Sequence, residues 1–153
     1  MKFLENKIPP PLVCLLTGVA MWGLARLTPH LAVPDLWRWS AAAVLALAGV
    51  MVAAPAMRAF VRAKTTINPV KIEAASALVT GGVFRLTRNP MYLGLTLLLC
   101  GVAVFLAAPW TLLGPLAFVL FITRFQIVPE ERVMRAKFGA AFEAYAQKVR
   151  RWI

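Results

Sequence analysis

The side chains best suited to chemistry lie between Gly81 and Gly94, where a basic polar segment meets a strongly apolar one. Arg88, Asn89 and Tyr92 supply a fixed cation, an amide and a phenol at the start of a predicted membrane helix. Polar groups at that position need water, a partner or a ligand. An arginine that reaches lipid phosphate and a tyrosine in an interfacial aromatic belt explain these residue types without any chemistry. The segment is therefore either a ligand site or a membrane anchor.

The composition indicates a membrane protein. Of the 153 residues, 61% are hydrophobic, and the mean hydropathy is +0.74. A soluble domain of this size cannot bury so much apolar surface. The 17 Lys and Arg against 6 Asp and Glu give a net charge of +11. Because the cations flank apolar segments, we expect membrane lipids with anionic headgroups as partners, and no nucleic acid.

Four apolar segments predict an all-α integral membrane protein with one domain over residues 1–153. The predicted transmembrane helices cover about 12–27, 39–57, 91–107 and 110–128. The second has 19 residues without a charge, which at about 1.5 Å per residue matches a hydrocarbon core of roughly 30 Å. Only Ala108 and Pro109 separate the last two segments. These two helices should therefore form a tight antiparallel hairpin.

Two amphipathic helices are predicted outside the apolar segments. In the middle loop, Ile72, Ala75, Leu78 and Val79 recur at helical spacing, which predicts a short surface helix that ends at Gly81. The C-terminal tail predicts an interfacial helix over about 129–150, with a proline and two carboxylates in its first turn. One face of that helix carries an apolar stripe of Met134, Phe138, Ala141, Phe142, Tyr145, Val149 and Trp152.

The distribution of cations predicts the orientation. Arg26 and Arg38 are the only cations in the first loop, and the other 15 lie in the N-terminal tail, the middle loop and the segment from Arg124 onward. The positive-inside rule then places both termini and the middle loop in the cytoplasm. We expect an integral protein of a bacterial inner membrane.

The predicted hairpin returns the chain to the side that it left at Met91. Arg88, Asn89 and Tyr92 should therefore lie near Glu130 and Glu131. An ion pair that only ties the tail to the loop is an equally good explanation of this proximity.

Short motifs follow one another in the second half of the chain. They are Gly82-Val83-Phe84-Arg85, then Arg88-Asn89-Pro90-Met91-Tyr92-Leu93-Gly94, Glu130-Glu131, Phe138-Gly139, Tyr145 and Arg151-Trp152. Their order and spacing resemble the isoprenylcysteine carboxyl methyltransferase and phospholipid methyltransferase superfamily. The resemblance extends from about Thr65 to the C-terminus.

This resemblance implies an integral membrane methyltransferase that uses S-adenosylmethionine as its cofactor, with the active site at the cytoplasmic face. The methyl acceptor would be lipidic or small and hydrophobic, and no metal is implied. The implied cofactor site consists of Arg88, Asn89, Pro90, Tyr92, Gly94, Glu130 and Glu131. Of these, the implied catalytic residues are Arg88, Asn89, Tyr92, Glu130 and Glu131. Asn89 departs from the family motif, which often has histidine there.

The only histidine bears on the acceptor. His30 is predicted on the opposite side of the membrane, so no imidazole is available as a general base. An amine acceptor, protonated at neutral pH, would need a glutamate as base, whereas a carboxylate or thiolate needs none. These considerations favour a carboxylate or thiol acceptor over an amine.

Two other functions fit the composition. A non-enzymatic membrane protein would use the basic loop and tail to bind anionic lipid or a protein partner. A small multidrug-type transporter would need an acid within the bilayer, and none of the 6 acids lies in a predicted transmembrane helix.

Overall fold

The computed structural model describes residues 5–64 and 76–153, and these form a helical bundle. Its five α-helices are α1 (Pro10–Leu27), α2 (Asp35–Arg62), α3 (Pro90–Leu106), α4 (Leu113–Ile122) and α5 (Val128–Lys148). Two 3-10 turns cover Gly82–Arg85 and Pro109–Leu112, and a π-helical segment covers Thr123–Ile127. No β-strand occurs within the described ranges, which confirms the all-α prediction.

Within residues 5–64 and 76–153, three helical segments are long and apolar enough to cross a membrane. They are Pro10–Leu27, Asp35–Arg62 and Pro109–Lys148, the last with a kink at Gly139, where φ is 47°. Helix α3 is apolar but has only 17 residues, which span about 25 Å at 1.5 Å per residue. The structure therefore supports an integral membrane protein, while the count of four transmembrane helices stays a prediction.

Helix α2 extends beyond both ends of its predicted apolar segment, which was 39–57. Its first turn contains Asp35, whose charge complements the helix dipole, and Arg38, which pairs with Asp35 at 3.2 Å. The Arg38 Nε also donates to the carbonyl of Phe105 at 2.9 Å, so the start of α2 is fixed to the end of α3. Hydropathy marks the apolar segment, but the helical hydrogen bonds continue past it.

The sequence predicted a separate C-terminal helix that begins at about Pro129, but the structure has no separate start there. Instead, the fourth apolar helix continues through the π-helical segment into α5. Pro129 has no N–H to offer the carbonyl of Phe125, and that carbonyl accepts the backbone N–H of Asn6 at 3.0 Å. The Gln126 side chain donates to the carbonyl of Ile8 at 2.7 Å. The N-terminal segment thus supplies hydrogen bonds at the point where a helix would otherwise break.

The predicted surface helix of the middle loop lies mostly outside the described residues. Its described end, residues 76–81, is not helical. The chain then makes the 3-10 turn Gly82–Arg85, which buries Phe84 at 4% exposure. The ring of Phe84 contacts Phe60 of α2 with centroids 5.3 Å apart, so this turn is packed against the bundle.

Helices α2 and α3 approach each other at two glycines. A Cβ on Gly94 would lie 2.7 Å from the carbonyl oxygen of Gly49 and 2.8 Å from the Cβ of Ala53. Real Cβ atoms essentially never come so close to such neighbours, and neither neighbour is the flexible end of a side chain. The close contact between α2 and α3 therefore requires glycine at position 94.

We expect Gly94→Ala to lower the free energy of unfolding by about 1 to 3 kcal/mol, because the added methyl forces α2 and α3 apart. The measurement is thermal unfolding of the purified protein in detergent. Gly18→Ala in α1 is the matched control, since a Cβ at Gly18 meets nothing within 4 Å. Equal unfolding temperatures for the two variants would contradict the packing argument.

Candidate active site

The hairpin of α3 and α4 brings the two polar clusters together. Ala107 ends α3 in the left-handed conformation, with φ of 50°, and the next helical turn begins at Pro109. At the other end of this hairpin, Arg88 Nη2 lies 2.7 Å from Glu131 Oε1. The Tyr92 hydroxyl donates to Glu130 Oε1 at 2.5 Å. The predicted proximity of these residues is confirmed.

Glu131 is a buried carboxylate held by two arginines. Its residue exposure is 5%, and its oxygens accept from Arg88 at 2.7 Å and from Arg151 at 2.8 and 3.0 Å. The hydrogen bond to Glu131 raises the pKa of the Arg151 guanidinium, although burial acts in the opposite direction. Both oxygens of Glu131 are therefore engaged by the protein itself.

Arg88 joins the start of α3 to the C-terminal tail. Its Nη1 donates to the carbonyls of Ala146 and Val149, both at 2.8 Å, and its backbone N–H donates to the carbonyl of Arg150 at 3.0 Å. The Nε of Arg88 is buried and has no hydrogen-bond partner. A buried donor without a partner is costly. Arg88 thus joins the start of α3 to the tail, and among the described residues its Nε has no partner.

The tail after α5 is held by the motif before α3. Asn89 Nδ2 donates to the carbonyl of Arg151 at 2.9 Å, and the buried Thr87 hydroxyl donates to the same carbonyl at 3.2 Å. Trp152 Nε1 donates to the Thr123 hydroxyl at 3.1 Å. In this contact Asn89 needs only to donate a hydrogen bond, which a histidine can also do.

Sequence reasoning missed a role for Arg151, although its motif was noted. Three contacts of Arg151 join positions 20 or more residues apart in the chain, and local sequence patterns do not reveal such contacts. In the structure, Arg88, Arg135 and Arg151 all lie within 4 Å of Glu131, and no local feature of the sequence indicates this grouping.

A cavity of about 100 Å³ lies where these elements meet. Arg88, Asn89, Glu130 and Glu131 form its polar side. Its remaining walls are apolar or aromatic, and they consist of Phe60, Ala77, Leu78, Val79, Phe84, Ile127, Met134, Phe142 and Tyr145. Phe142 and Tyr145 come from the predicted apolar stripe of the tail, which here faces protein. The tail is therefore a wall of the candidate site.

The remaining three residues of the predicted site lie beside this cavity. Among the described residues, its lining does not include Pro90, Tyr92 or Gly94. Pro90 begins α3, Tyr92 holds Glu130, and Gly94 packs against Gly49 of α2. The structure thus separates residues that line the cavity from residues that position them.

Glu130 is the carboxylate with capacity left for a ligand. One oxygen of Glu130 accepts from Tyr92, and a carboxyl group has further acceptor sites beyond that one. Tyr145, which also lines the cavity, donates its hydroxyl to the carbonyl of Phe84 at 2.7 Å and is therefore engaged. A carboxyl group beside aromatic walls suits a ligand that is rich in amino or hydroxyl groups and carries a flat ring.

Comparison with known proteins places the chain in a family. A family model described as phospholipid methyltransferase matches residues 37–141. An uncharacterized protein of Haemophilus influenzae is 43% identical over 63 residues, which are 41% of this chain and 100% of that protein. No solved structure matches the chain.

Two plant relatives carry the names of enzymes. A probable protein-S-isoprenylcysteine O-methyltransferase of Oryza sativa is 38% identical over 91 residues, which are 58% of this chain and 46% of that protein. Protein-S-isoprenylcysteine O-methyltransferase B of Arabidopsis thaliana is 32% identical over 91 residues, which are 58% of this chain and 45% of that protein. The matched region spans about half the length of these plant relatives. Because the family model matches more than half of the chain, the chain belongs to the phospholipid methyltransferase family.

Proposed function

We propose that this protein is a membrane methyltransferase that transfers a methyl group from S-adenosylmethionine to a lipidic or small hydrophobic acceptor. The observation that carries the proposal is the single cavity at which Arg88, Asn89, Glu130 and Glu131 meet. Its position in a chain of the phospholipid methyltransferase family supports the reaction type.

The chemistry of the cavity fits the cofactor. Glu130 offers acceptor sites for ribose hydroxyls or the ammonium group, and its charge favours a nearby sulfonium. The unpartnered Nε of Arg88 is a donor for the cofactor carboxylate. The rings of Phe60, Phe84 and Phe142 are an apolar surface for adenine. When bound, S-adenosylmethionine supplies an electrophilic methyl group.

The volume of the cavity requires one wall to move. Its size of about 100 Å³ is below the roughly 300 to 1,000 Å³ of typical small-molecule sites. Residues 77–79 have no regular secondary structure, whereas the other walls belong to helices, to the packed turn at Phe84, or to Arg88 and Asn89, which hydrogen bonds hold to the tail. Displacement of residues 77–79 breaks the fewest backbone hydrogen bonds, so we propose that the cofactor enters there.

The roles of the site residues follow from their contacts. Glu130 binds the cofactor, with Tyr92 fixing the orientation of its carboxylate. Glu131 and Asn89 hold Arg88 and the tail in place around the cavity. Methyl transfer is an in-line displacement, so alignment and exclusion of water are the main contributions of the protein.

A carboxylate or thiolate is the proposed acceptor. His30 lies in the loop before α2, next to Leu31, whose N–H bonds to the carbonyl of Ala107 at the far end of α3. It therefore lies at the end of α3 that is about 22 Å from Tyr92, too far to act as a base. An acceptor that is already anionic needs no base.

The test of this function is transfer of a labelled methyl group. The purified full chain is incubated with methyl-labelled S-adenosylmethionine and, separately, a prenylcysteine with a free carboxylate or an aminophospholipid. We expect label in the prenylcysteine as an ester that alkali cleaves. Label in the aminophospholipid alone would contradict the acceptor preference. A folded protein that labels neither acceptor and binds no cofactor would favour the non-enzymatic alternative.

We propose further that both termini and the candidate site face the cytoplasm, on the basis of the cation distribution. In a chain without Cys14 and Cys100, a single cysteine at Asp35 should react with an impermeant maleimide added outside intact cells. A cysteine at Ala146 should react only after the cells are opened. The reverse pattern would put the site in a compartment without the cofactor.

A further inference from the structure

A second groove lies beside the candidate active site, between the end of α2 and the turn that precedes α3. Its volume is about 570 Å³. Val79 lines both this groove and the candidate site, and the contact between Phe60 and Phe84, with centroids 5.3 Å apart, lies next to it. The two sites are therefore neighbours at the same end of the bundle.

Two arginines give this groove its charge. Arg58 and Arg62 lie one turn apart on the same face of α2, where like charges repel each other. Both are exposed, and neither forms an ion pair within residues 5–64 and 76–153. The described lining of the groove contains no carboxylate. The helix dipole also favours cations at the C-terminal end of α2. That effect explains the two charges, but it does not explain the groove between them. An anion bound between the two guanidinium groups relieves their repulsion.

Small residues keep the groove open between these charges. Ala59 lies on α2, Ala63 follows its last residue, and Gly81 and Gly82 lie opposite. Gly81 has an ordinary extended backbone, with φ of −91° and ψ of 170°, and a Cβ there would meet nothing within 4 Å. Neither the backbone conformation nor packing within the protein therefore requires glycine at position 81. Glycine there leaves the main chain accessible to a ligand.

We propose that this groove binds the phosphate group of an anionic membrane lipid, with Arg58 and Arg62 as its ligands. Guanidinium groups bind phosphate oxygens with paired hydrogen bonds, and the small residues leave room for the rest of the headgroup. Met57 and Val61, next to the two arginines on α2, are 50% and 65% exposed, and they provide an apolar surface for acyl chains. This lipid stays bound beside the candidate active site and is not the methyl acceptor. Its binding does not depend on the proposed methyl transfer.

The proposal is tested by calorimetric titration of the full chain in a maltoside detergent with dihexanoyl phosphatidylglycerol. We expect saturable binding that the double variant Arg58→Gln with Arg62→Gln weakens by about tenfold or more. Gly81→Leu, which fills the groove and keeps every charge, should weaken binding to a similar extent. The charge-matched control, Lys137→Gln with Arg150→Gln, removes two exposed cations outside the groove and should stay within about twofold of the parent.

Three results would overturn the proposal. Unchanged binding by both groove variants would place the lipid elsewhere. An equal loss in the control would show that only the overall charge attracts the lipid. Inorganic phosphate that binds as tightly as the lipid would show a site for soluble phosphate.

Discussion

Glu131→Gln is expected to lower the free energy of unfolding by about 3 kcal/mol, because it removes the carboxylate that two arginines share. The side chains of Arg88 and Glu131 are only 11% and 6% exposed, so the guanidinium of Arg88 would be left in a poorly hydrated place without its counter-charge. Arg151 would lose at least one of its two hydrogen bonds at the same time, because glutamine has an NH2 donor in place of one acceptor oxygen. The measurement is thermal and denaturant unfolding of the purified protein in detergent.

Glu143→Gln is the matched control for this prediction. It is the same substitution in the same helix, and Glu143 also pairs with an arginine, Arg135, at 2.8 Å. That pair is about half exposed on both sides, at 47% and 50%. An exposed pair of this kind contributes less than about 1 kcal/mol. If both variants unfold like the parent, Glu131 does not hold the tail to the start of α3.

Glu130→Gln is expected to weaken the binding of S-adenosylmethionine by roughly ten- to a hundredfold, with unfolding within about 1 kcal/mol of the parent. Glutamine still accepts the hydroxyl of Tyr92, so the local structure keeps its hydrogen bond. The lost negative charge is the one that faces the cofactor. Titration of the cofactor by calorimetry measures the change.

Tyr92→Phe and Glu143→Gln separate this effect from indirect ones. Tyr92→Phe keeps the charge of Glu130 and removes only the group that orients it, so the loss of affinity should be smaller than in Glu130→Gln. Glu143 does not line the cavity as far as the described residues define it, and its variant should bind like the parent. A Glu130→Gln protein with unchanged affinity would remove Glu130 from the cofactor site.

The opposite expectations for the two glutamates arise from their contacts. Both follow Pro129 in the sequence, and the sequence alone assigned them the same role. In the structure, arginines occupy both oxygens of Glu131, while Glu130 accepts from Tyr92 alone among the described residues and lines the cavity. Glu130 and Glu131 are neighbours on a helix and point in different directions. Glu131 therefore holds the tail, while Glu130 is available to a ligand.

The proximity of Arg88 and Glu131 was predictable from the sequence. It required only two apolar helices joined by Ala108 and Pro109, since such a short connection makes the helices antiparallel. The mixed apolar and charged composition likewise predicted a helical membrane protein. Both inferences depend on hydropathy and chain length, which are local properties of the sequence.

Features that depend on distant contacts were not predictable. The helix continues through Pro129 because the N-terminal segment forms hydrogen bonds there. The N–H of Asn6 donates to the carbonyl of Phe125, and the Gln126 side chain donates to the carbonyl of Ile8. The partners in each pair are more than 100 positions apart. The contacts by which Arg88, Asn89 and Thr87 bind the carbonyls of the tail join residues 58 to 64 positions apart. Nothing in the local sequence of either segment indicates these partners.

The most direct test of the account is to locate bound S-adenosylmethionine on the protein. The purified full chain is irradiated with the labelled cofactor, digested, and the labelled peptides are identified by mass spectrometry, with excess unlabelled cofactor as competitor. The account predicts competable label within residues 77–92 or 127–145, the segments that supply most of the cavity wall. Label confined to other segments, or no competable label on a folded protein, would contradict it.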